Sequence, residues 1–187
     1  DNGLNYQSSA LFFNLVPNTY NVIVKDSNNC LSIPQAIIIT EPDILEIQSF
    51  TIITPTCYGC ANGQATAIVV GGTAPYSHSW SNGMTGNPIS NLGVGTYTDT
   101  VTDFNGCITI NSFFMTEPEP LVLTTDSLNI ACYGDNTGWI SAFATGGTLP
   151  YTYEWRQLPS NTVISTNDTL LNATAGSYSV TLYDFYN

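Results

Sequence analysis

The sequence predicts an all-β protein made of tandem immunoglobulin-like, antiparallel β-sandwich repeats of about 75–80 residues. The first observation is a ten-residue stretch, residues 71–80, which returns as residues 146–155. The second is a series of short runs that alternate apolar and polar residues and are separated by glycine and asparagine turns. The third is a hydrophobic fraction of 43%, which is enough to bury a core and argues against disorder.

The repeated stretch reads Gly-Gly-Thr-x-Pro-Tyr-x-x-x-Trp, a pattern that is typical of a turn followed by a strand. Two glycines permit backbone angles that other residues avoid, and the proline fixes its own φ. Side chains alternate across a strand, so Tyr76, His78 and Trp80 should share one face. Ser77 and Ser79 then lie on the other face. We therefore predict a half-buried strand with an aromatic inner side.

Boundary signals divide the chain into three units. A Thr-Glu-Pro sequence ends at Pro42 and recurs ending at Pro118, and proline at this place stops ladder pairing. The predicted first unit, residues 1–42, is the C-terminal part of a truncated repeat. The second, 43–118, is a complete repeat, and the third, 119–187, is a repeat truncated near its last strand.

Strands follow from alternation and from the turn signals between the runs. In the first unit they are predicted at residues 10–15, 19–26 and 36–39. In the second unit they are predicted at 44–53, 64–70, 76–80, 88–92, 96–103 and 108–115. The third unit repeats this order, with an insertion at 156–161 that lengthens one hairpin.

A recurring leucine, glycine and tyrosine spacing predicts a tyrosine corner, in which the phenol bonds to backbone a few residues upstream. The tyrosines are Tyr20, Tyr97 and Tyr178, and in the third unit Ala173 replaces the leucine. The alternative for each tyrosine alone is a core residue at the start of a strand. Three occurrences in register favour the corner.

The charge balance argues against nucleic acid as a partner. Lys25 and Arg156 are the only basic side chains against 14 acidic ones, and the formal net charge is −12. Phosphate binding needs clustered lysine and arginine. No apolar run reaches the roughly 18 residues of a membrane span. Five recurring cysteines and few lysines predict an oxidising, extracellular setting, with a cytosolic metal site as the competing interpretation.

Four short motifs occur together in this chain. They are Cys-x-Gly-x-x-x-Gly from Cys132 to Gly138, the repeated ten-residue stretch, Gly-x-Tyr, and Asp-x-x-Gly-Cys ending at Cys107. Their combination resembles the SprB repeat of Bacteroidota surface proteins. The resemblance departs from the pattern at Cys60, at Asn29, which stands in a glycine position, and at the insertion.

The resemblance implies a segment of a long, secreted cell-surface filament similar to the gliding-motility adhesins of flavobacteria. It implies export by type IX secretion and a role in adhesion and gliding. The expected partners are neighbouring repeats of the same chain and an extracellular surface or polysaccharide.

The cysteines are the first candidate sites. Cys57 and Cys132 precede the second strand of their units, whereas Cys30 and Cys107 follow a turn near the end of theirs. In an immunoglobulin-like sandwich these places lie at opposite poles, beyond the ~7 Å Cα separation that a disulfide allows. We therefore expect disulfides between successive repeats, with Cys57 bonded to a cysteine just past residue 187 and Cys107 to an absent cysteine of the first unit. Cys60 stays unassigned, because a lone Cys-x-x-Cys pair is a weak signal for zinc or thioredoxin chemistry.

Aspartates recur at one register position of the three units, and with one aspartate of an adjoining loop they could bind Ca²⁺ at the junctions between repeats. The preferred interpretation is that they cap turns. These four residues are Asp26, Asp103, Asp135 and Asp184.

Three Asp-Ser/Thr-apolar triplets match the short sequon seen for O-glycans in Bacteroidota, a pattern that also arises by chance in a threonine-rich chain. The hydroxyls concerned are Thr100, Ser127 and Thr169. The first triplet begins at Asp99, whose register predicts that it faces the core, where burial of a carboxylate is costly.

Catalysis is not predicted. His78 is the only histidine, and its register partner Tyr153 indicates an aromatic core position rather than a base. No paired nucleophile and base, and no carboxylate pair, stands in a catalytic motif. The chain is therefore interpreted as a non-enzymatic stalk or adhesive segment. The alternative is a carbohydrate-binding or spacer module of a secreted multidomain enzyme, with Tyr58, Tyr133 and Trp139 as sugar platforms.

Overall fold

The structure, a computed structural model, describes residues 6–186. Within this range the chain forms fourteen strands, and every strand pairing is antiparallel. No helix in the described residues is long and apolar enough to cross a membrane. The predicted all-β class is confirmed.

The first unit contributes a two-stranded sheet of β1 (Asn18–Val22) and β2 (Gln35–Ile39). The strand predicted at residues 10–15 is wrong, because this segment is irregular. The corresponding segment of the second unit, Ile89–Leu92, forms a strand that pairs with a neighbouring strand. The described part of the first unit contains no strand that could pair with residues 10–15. Backbone groups there form hydrogen bonds with nearby side chains instead, and Gln7 Nε2 donates to the Leu11 carbonyl.

The second unit is a sandwich of two three-stranded sheets, with strand orders β3-β4-β6 and β5-β7-β8. The unbroken run between the Gly106 turn and Pro118 forms β8 with the predicted bounds. The strands are β3 (Glu46–Ile53), β4 (Gly63–Val70), β5 (Ser77–Trp80), β6 (Ile89–Leu92), β7 (Gly95–Thr102) and β8 (Ile108–Met115).

The core of the second unit lies between these sheets. Trp80 is buried at the end of β5, and its indole N–H donates to the Gly86 carbonyl at 2.9 Å. His78 is largely buried on the same side, while Ser77 and Ser79 are exposed, so the predicted alternation is confirmed. Around Trp80 the buried residues are Ile47, Ala65, Ala67, Ile89, Leu92, Val101 and Met115.

The chain enters and leaves the second unit at opposite poles. The Gly72 pole holds the Gly71-Gly72 turn and the β7–β8 turn, and here Gly72 N–H donates to the Asp43 carbonyl at 2.8 Å. The Gly59 pole holds the loop before β4 and the segment that follows β8, where Gly59 N–H donates to Glu117 Oε2 at 2.8 Å. Both β3 and β8 run from the Gly72 pole to the Gly59 pole.

The third unit has the same first sheet, in the order β9-β10-β13, but its second sheet has the order β12-β11-β14, in which β12 is added beside β11 and no described strand takes the place of β8. Its buried residues are Ala142, Trp155, Leu170 and Ala173. The insertion after Trp155 extends the hairpin of β11 and β12, where the second unit has only an isolated bridge. The strands are β9 (Val122–Leu128), β10 (Gly138–Thr145), β11 (Thr152–Gln157), β12 (Val163–Ser165), β13 (Thr169–Ala173) and β14 (Tyr178–Tyr183).

The tyrosine corner is present in all three units. Each phenol donates to the carbonyl four residues upstream: Tyr20 to Val16 at 2.9 Å, Tyr97 to Gly93 at 3.2 Å, and Tyr178 to Thr174 at 2.9 Å. An asparagine in the left-handed region precedes each corner, at Asn14, Asn91 and Asn172. In the second and third units this asparagine coincides with a bulge in the ladder. These asparagines were not predicted from the sequence, although asparagine is the residue type, after glycine, that best tolerates this backbone.

Candidate functional site

The repeated ten-residue stretch is a structural junction at the Gly72 pole. Gly71 has φ +68°, and a Cβ on it would lie 1.9 Å from the Ile44 carbonyl oxygen, so only glycine fits. The Tyr76 hydroxyl donates to the Gly71 carbonyl at 2.6 Å. This turn therefore fixes the segment that leads into the unit against the segment that leads into β5.

The third unit builds the same junction from the same residue types. Gly147 N–H donates to the Glu119 carbonyl at 2.8 Å, and the Tyr151 hydroxyl donates to the Gly146 carbonyl. A Cβ on Gly146 would lie 1.9 Å from the Pro120 carbonyl oxygen. The motif that repeats most clearly in the sequence thus serves folding rather than chemistry.

Asp103 caps this pole. Its Oδ2 accepts the Thr73 N–H at 2.9 Å, and its Oδ1 accepts the N–H groups of Asn105 at 2.9 Å and Cys107 at 2.8 Å. Burial raises the pKa of this carboxyl, but the hydrogen bonds from these three backbone groups outweigh burial and hold the pKa below its ordinary value of 3.8. The carboxylate oxygens are therefore engaged by the turn itself.

The other candidate cation ligands behave similarly or lie apart. Asp26 Oδ1 accepts two turn N–H groups, and Asp184 accepts the N–H groups of Thr148 and Tyr186. Asp135 lies in the loop before β10. Within residues 6–186 no group of three or more His, Cys, Asp or Glu side chains is arranged to hold a metal ion. The geometry gives the three register-related aspartates the turn-capping role.

Cys57 and Cys60 form a disulfide, with their Cα atoms 5.3 Å apart. The expectation that Cys57 bonds to a cysteine of a neighbouring repeat is therefore wrong for this structure. The bond closes a four-residue turn in which Gly59, at φ +71°, provides the left-handed backbone. The signal was the Cys-x-x-Cys spacing itself, which the sequence analysis weighed only for zinc and thioredoxin chemistry.

Cys30, Cys107 and Cys132 are free and exposed. Cys132 occupies the register of Cys57, but Asp135 stands where Cys60 would be. Both loops still form the same turn, since Asp135 N–H donates to the Cys132 carbonyl as Cys60 N–H does to Cys57. Cys57 and Cys107 lie at opposite poles, as predicted, and disulfides from the three free cysteines to other repeats stay a prediction.

His78 and Asp99 form a buried pair in the core of the second unit. Asp99 has no exposure, and its Oδ2 lies 2.7 Å from His78 Nδ1, while its Oδ1 has no hydrogen-bond partner. The cost expected for burying Asp99 is thus partly offset by one strong contact. This pairing was not predicted from the sequence. Their diagonal positions on β5 and β7 were the signal that could have joined them.

The three candidate glycosylation hydroxyls differ in access. Ser127 is exposed on β9, whereas Thr100 and Thr169 are half-buried. Thr169 Oγ1 also shares a hydrogen bond with Ser141 Oγ at 3.0 Å. Modification of these residues stays a prediction, and the geometry favours Ser127 among them.

The candidate sugar platforms are also unlike one another. Tyr133 is fully exposed, Tyr58 is 60% exposed, and Trp139 is half-buried within β10. Tyr58 stands beside an open cleft of about 220 Å³ at the Gly59 pole, which we call the Tyr58 cleft. Its lining comprises Tyr58, Val94, Phe114 and the segment from Thr116 to Glu119.

The comparisons with known proteins give a match to one family model. The family model described as SprB repeat matches residues 50–85 and again residues 124–158. Each matched stretch contains one copy of the Gly-Gly-Thr-x-Pro-Tyr-x-x-x-Trp motif. No curated protein matches the chain.

Proposed function

We propose that the chain, which the SprB repeat model matches over residues 50–85 and 124–158, is a structural and adhesive segment of a long, secreted cell-surface filament protein similar to a gliding-motility adhesin. In this role each unit adds length to a stalk that type IX secretion delivers to the outer surface of a bacterium. The immediate partners are neighbouring repeats, and the final partner is an extracellular surface or polysaccharide.

The observation that carries this proposal is the position of the two ends of the second unit. The chain enters at the Gly72 pole through Asp43 and leaves at the Gly59 pole through Glu117. The third unit begins two residues later, where the Glu119 carbonyl accepts the Gly147 N–H. A repeat built in this way extends the array along its strands instead of folding it back, which is what a stalk requires.

Composition supports the same role. A net charge of −12 with only two basic side chains makes such filaments repel each other and stay dispersed. A repeat-by-repeat stalk needs no catalytic group, and the aspartates and the histidine described above have structural roles: Asp26, Asp103 and Asp184 cap turns, and His78 and Asp99 pair in the core.

Immunogold labelling of intact source cells tests the proposal, using antibody raised against residues 43–118. We expect gold particles strung along filaments at the cell surface. Label confined to soluble secreted material would contradict the filament and remove the connection to gliding.

A second candidate function is carbohydrate binding, as a module of a secreted multidomain enzyme. The exposure of Tyr58 and Tyr133 favours it, because exposed aromatic faces can stack on sugar rings. A polysaccharide pull-down with the chain tests whether these residues bind sugar. Saturable binding that Tyr58→Ser or Tyr133→Ser abolishes, together with label confined to soluble secreted material, supports the module. A stalk segment without a ligand gives no binding.

A further inference from the structure

We propose that the Tyr58 cleft is a binding site for a lysine or arginine side chain of a basic partner protein. The site goes beyond the proposed function, since a repeat can lengthen a stalk without any ligand at this place. It lies at the Gly59 pole, beside the segment by which the chain leaves the second unit.

The walls of the cleft are apolar and open to water. Tyr58 and Phe114 are each 60% exposed, and Val94 is 51% exposed. They come from three separate parts of the unit, namely the disulfide turn, the loop before β7 and the end of β8. Large apolar side chains gathered at one place on a surface mark a contact site more often than scattered ones do.

The rim of the cleft is acidic. Glu117 and Glu119 lie within the lining, and no basic residue does. Aromatic faces attract cations, and the aliphatic stem of lysine or arginine can cover the rings while its charged end reaches a carboxylate. An acidic peptide or a phosphate would meet repulsion here, so charge complementarity selects a cationic occupant.

The turn closed by the Cys57–Cys60 disulfide fixes the position of Tyr58 before any ligand binds. The bond between Cys57 and Cys60 closes the turn that carries Tyr58, and Gly59 N–H donates to Glu117 Oε2 at 2.8 Å. This contact joins the turn to the segment after β8 and sets one carboxylate beside the tyrosine. A preformed site loses less conformational entropy when a flexible cationic side chain binds.

A second copy of this chain is a poor source of the cation. Arg156 is paired with Glu154, and the Lys25 ammonium lies 5.2 Å from the centre of the Tyr6 ring. These are the only basic side chains in the sequence. The cation therefore comes from outside these 187 residues, and we assign it to a basic partner protein with exposed lysine or arginine.

The third unit supplies a matched control. Tyr133 has the register of Tyr58 and is fully exposed, but its turn has no disulfide, because Asp135 replaces the second cysteine. Tyr133 does not line the Tyr58 cleft. Loss of Tyr133 should therefore leave binding unchanged.

The test titrates the 187-residue chain with N-acetylated trilysine amide in low salt and follows binding by NMR chemical shifts and calorimetry. We expect saturable shifts at Tyr58, Phe114 and Glu119, and weaker binding when salt is raised. Tyr58→Ser and Phe114→Ser should each weaken binding about two- to fivefold, the size of an exposed cation–π contact. Tyr133→Ser should not weaken it.

Cys60→Asp copies the natural turn of the third unit, so the loop should still fold. We expect this variant to bind trilysine more weakly than the unaltered chain, and unchanged signals from Tyr97 would show that the sandwich is intact. Equal weakening by Tyr58→Ser and Tyr133→Ser would overturn the proposal, since it would indicate diffuse attraction to an acidic surface. Saturable binding of a neutral xylo-oligosaccharide at Tyr58, without binding of trilysine, would also overturn it.

Discussion

Asp99 has no exposure to solvent in the second core, and one of its carboxylate oxygens has no hydrogen-bond partner. Its only polar contact is His78, whose side chain is 8% exposed. The third unit fills the same register positions with Tyr153 and Val180. The two units thus reach the same fold with an ionisable pair in one core and without a charged group in the other.

This comparison predicts a strong coupling between the two positions. His78→Tyr leaves a buried carboxylate without its partner and should lower the free energy of unfolding by about 3–5 kcal/mol. Asp99→Val leaves a buried imidazole nitrogen unpaired and should cost about 1–3 kcal/mol. The double variant copies the Tyr–Val combination of the third unit, and its free energy of unfolding should lie within about 1 kcal/mol of that of the original protein. Urea titration followed by the NMR signals of Val101 measures each value.

Ser79→Ala on the exposed face of β5 is the control and should change little. A double variant that is as unstable as His78→Tyr alone would show that the two side chains are not coupled.

Asp103 makes the second unit sensitive to acid. Because its pKa in the folded protein lies below the ordinary value of 3.8, the carboxylate contributes stability above about pH 4. That contribution is lost as the pH falls through the folded pKa. Asp103→Asn should lower stability at pH 7, since an amide cannot accept hydrogen bonds at both positions, and should flatten the acid dependence below pH 4. Urea midpoints of the second unit at pH 7, 4 and 3 test both effects.

Glu46→Gln serves as the comparison, since Glu46 is an exposed acid in the same unit. An Asp103→Asn variant with the same acid slope as the original protein would rule out this role for Asp103.

Among the elements, strands with clear boundaries were predictable and those without neighbours were not. β8 follows the prediction because an Asn-Gly turn precedes it and a Thr-Glu-Pro segment ends it. Residues 10–15 are equally apolar, yet they form no strand, since a strand needs a partner as well as a pattern.

The candidate site was predictable only in part. Exposure of Tyr58 was expected from the sequence. The Tyr58 cleft was not, because it combines three segments that are far apart in the sequence and no local pattern predicts their contact. The Cys57–Cys60 bond was missed because Cys57 was expected to bond to another repeat. Turn-capping by Asp103 was the preferred interpretation, and it could be predicted because it depends on residues close in sequence.

The turn before β5 gives a prediction at this scale. Gly71 and Gly83 both have positive φ, at +68° and +83°, so alanine at either position carries a backbone cost of about 1–2 kcal/mol. At Gly83 nothing lies within 4 Å of the new Cβ, whereas at Gly71 the Ile44 carbonyl oxygen is 1.9 Å away. Gly71→Ala should therefore destabilise the second unit more than Gly83→Ala does. Equal losses of stability in urea titrations would show that the segment before β3 can move away from the new Cβ at little cost.

In the molecule as a whole, the two sandwiches have separate cores. Trp80 belongs to one set of buried residues and Trp155 to the other. Such repeats should unfold as separate units, coupled only through the segment between them.

Leu92→Ala tests this independence. Leu92 has no exposure, and removing its side chain should cost the second unit about 2–5 kcal/mol. The indole signal of Trp80 should then disappear at lower urea than in the original protein, while that of Trp155 keeps its midpoint. Val94→Ala, at an exposed position two residues after Leu92 in the loop between β6 and β7, should shift neither signal. A common shift of both tryptophans would show that the sandwiches unfold as one body.

The opposite poles of the second unit have a mechanical consequence. If the two ends of the second unit are pulled apart, as they would be in the proposed filament, tension enters through Asp43 and leaves through Glu117, along the direction in which both β3 and β8 run. The ladders of β3 with β4 and of β7 with β8 are then loaded in shear, so their hydrogen bonds must rupture together rather than unzip in sequence. The second unit would therefore resist a force that is large enough to open a hairpin pulled from one end.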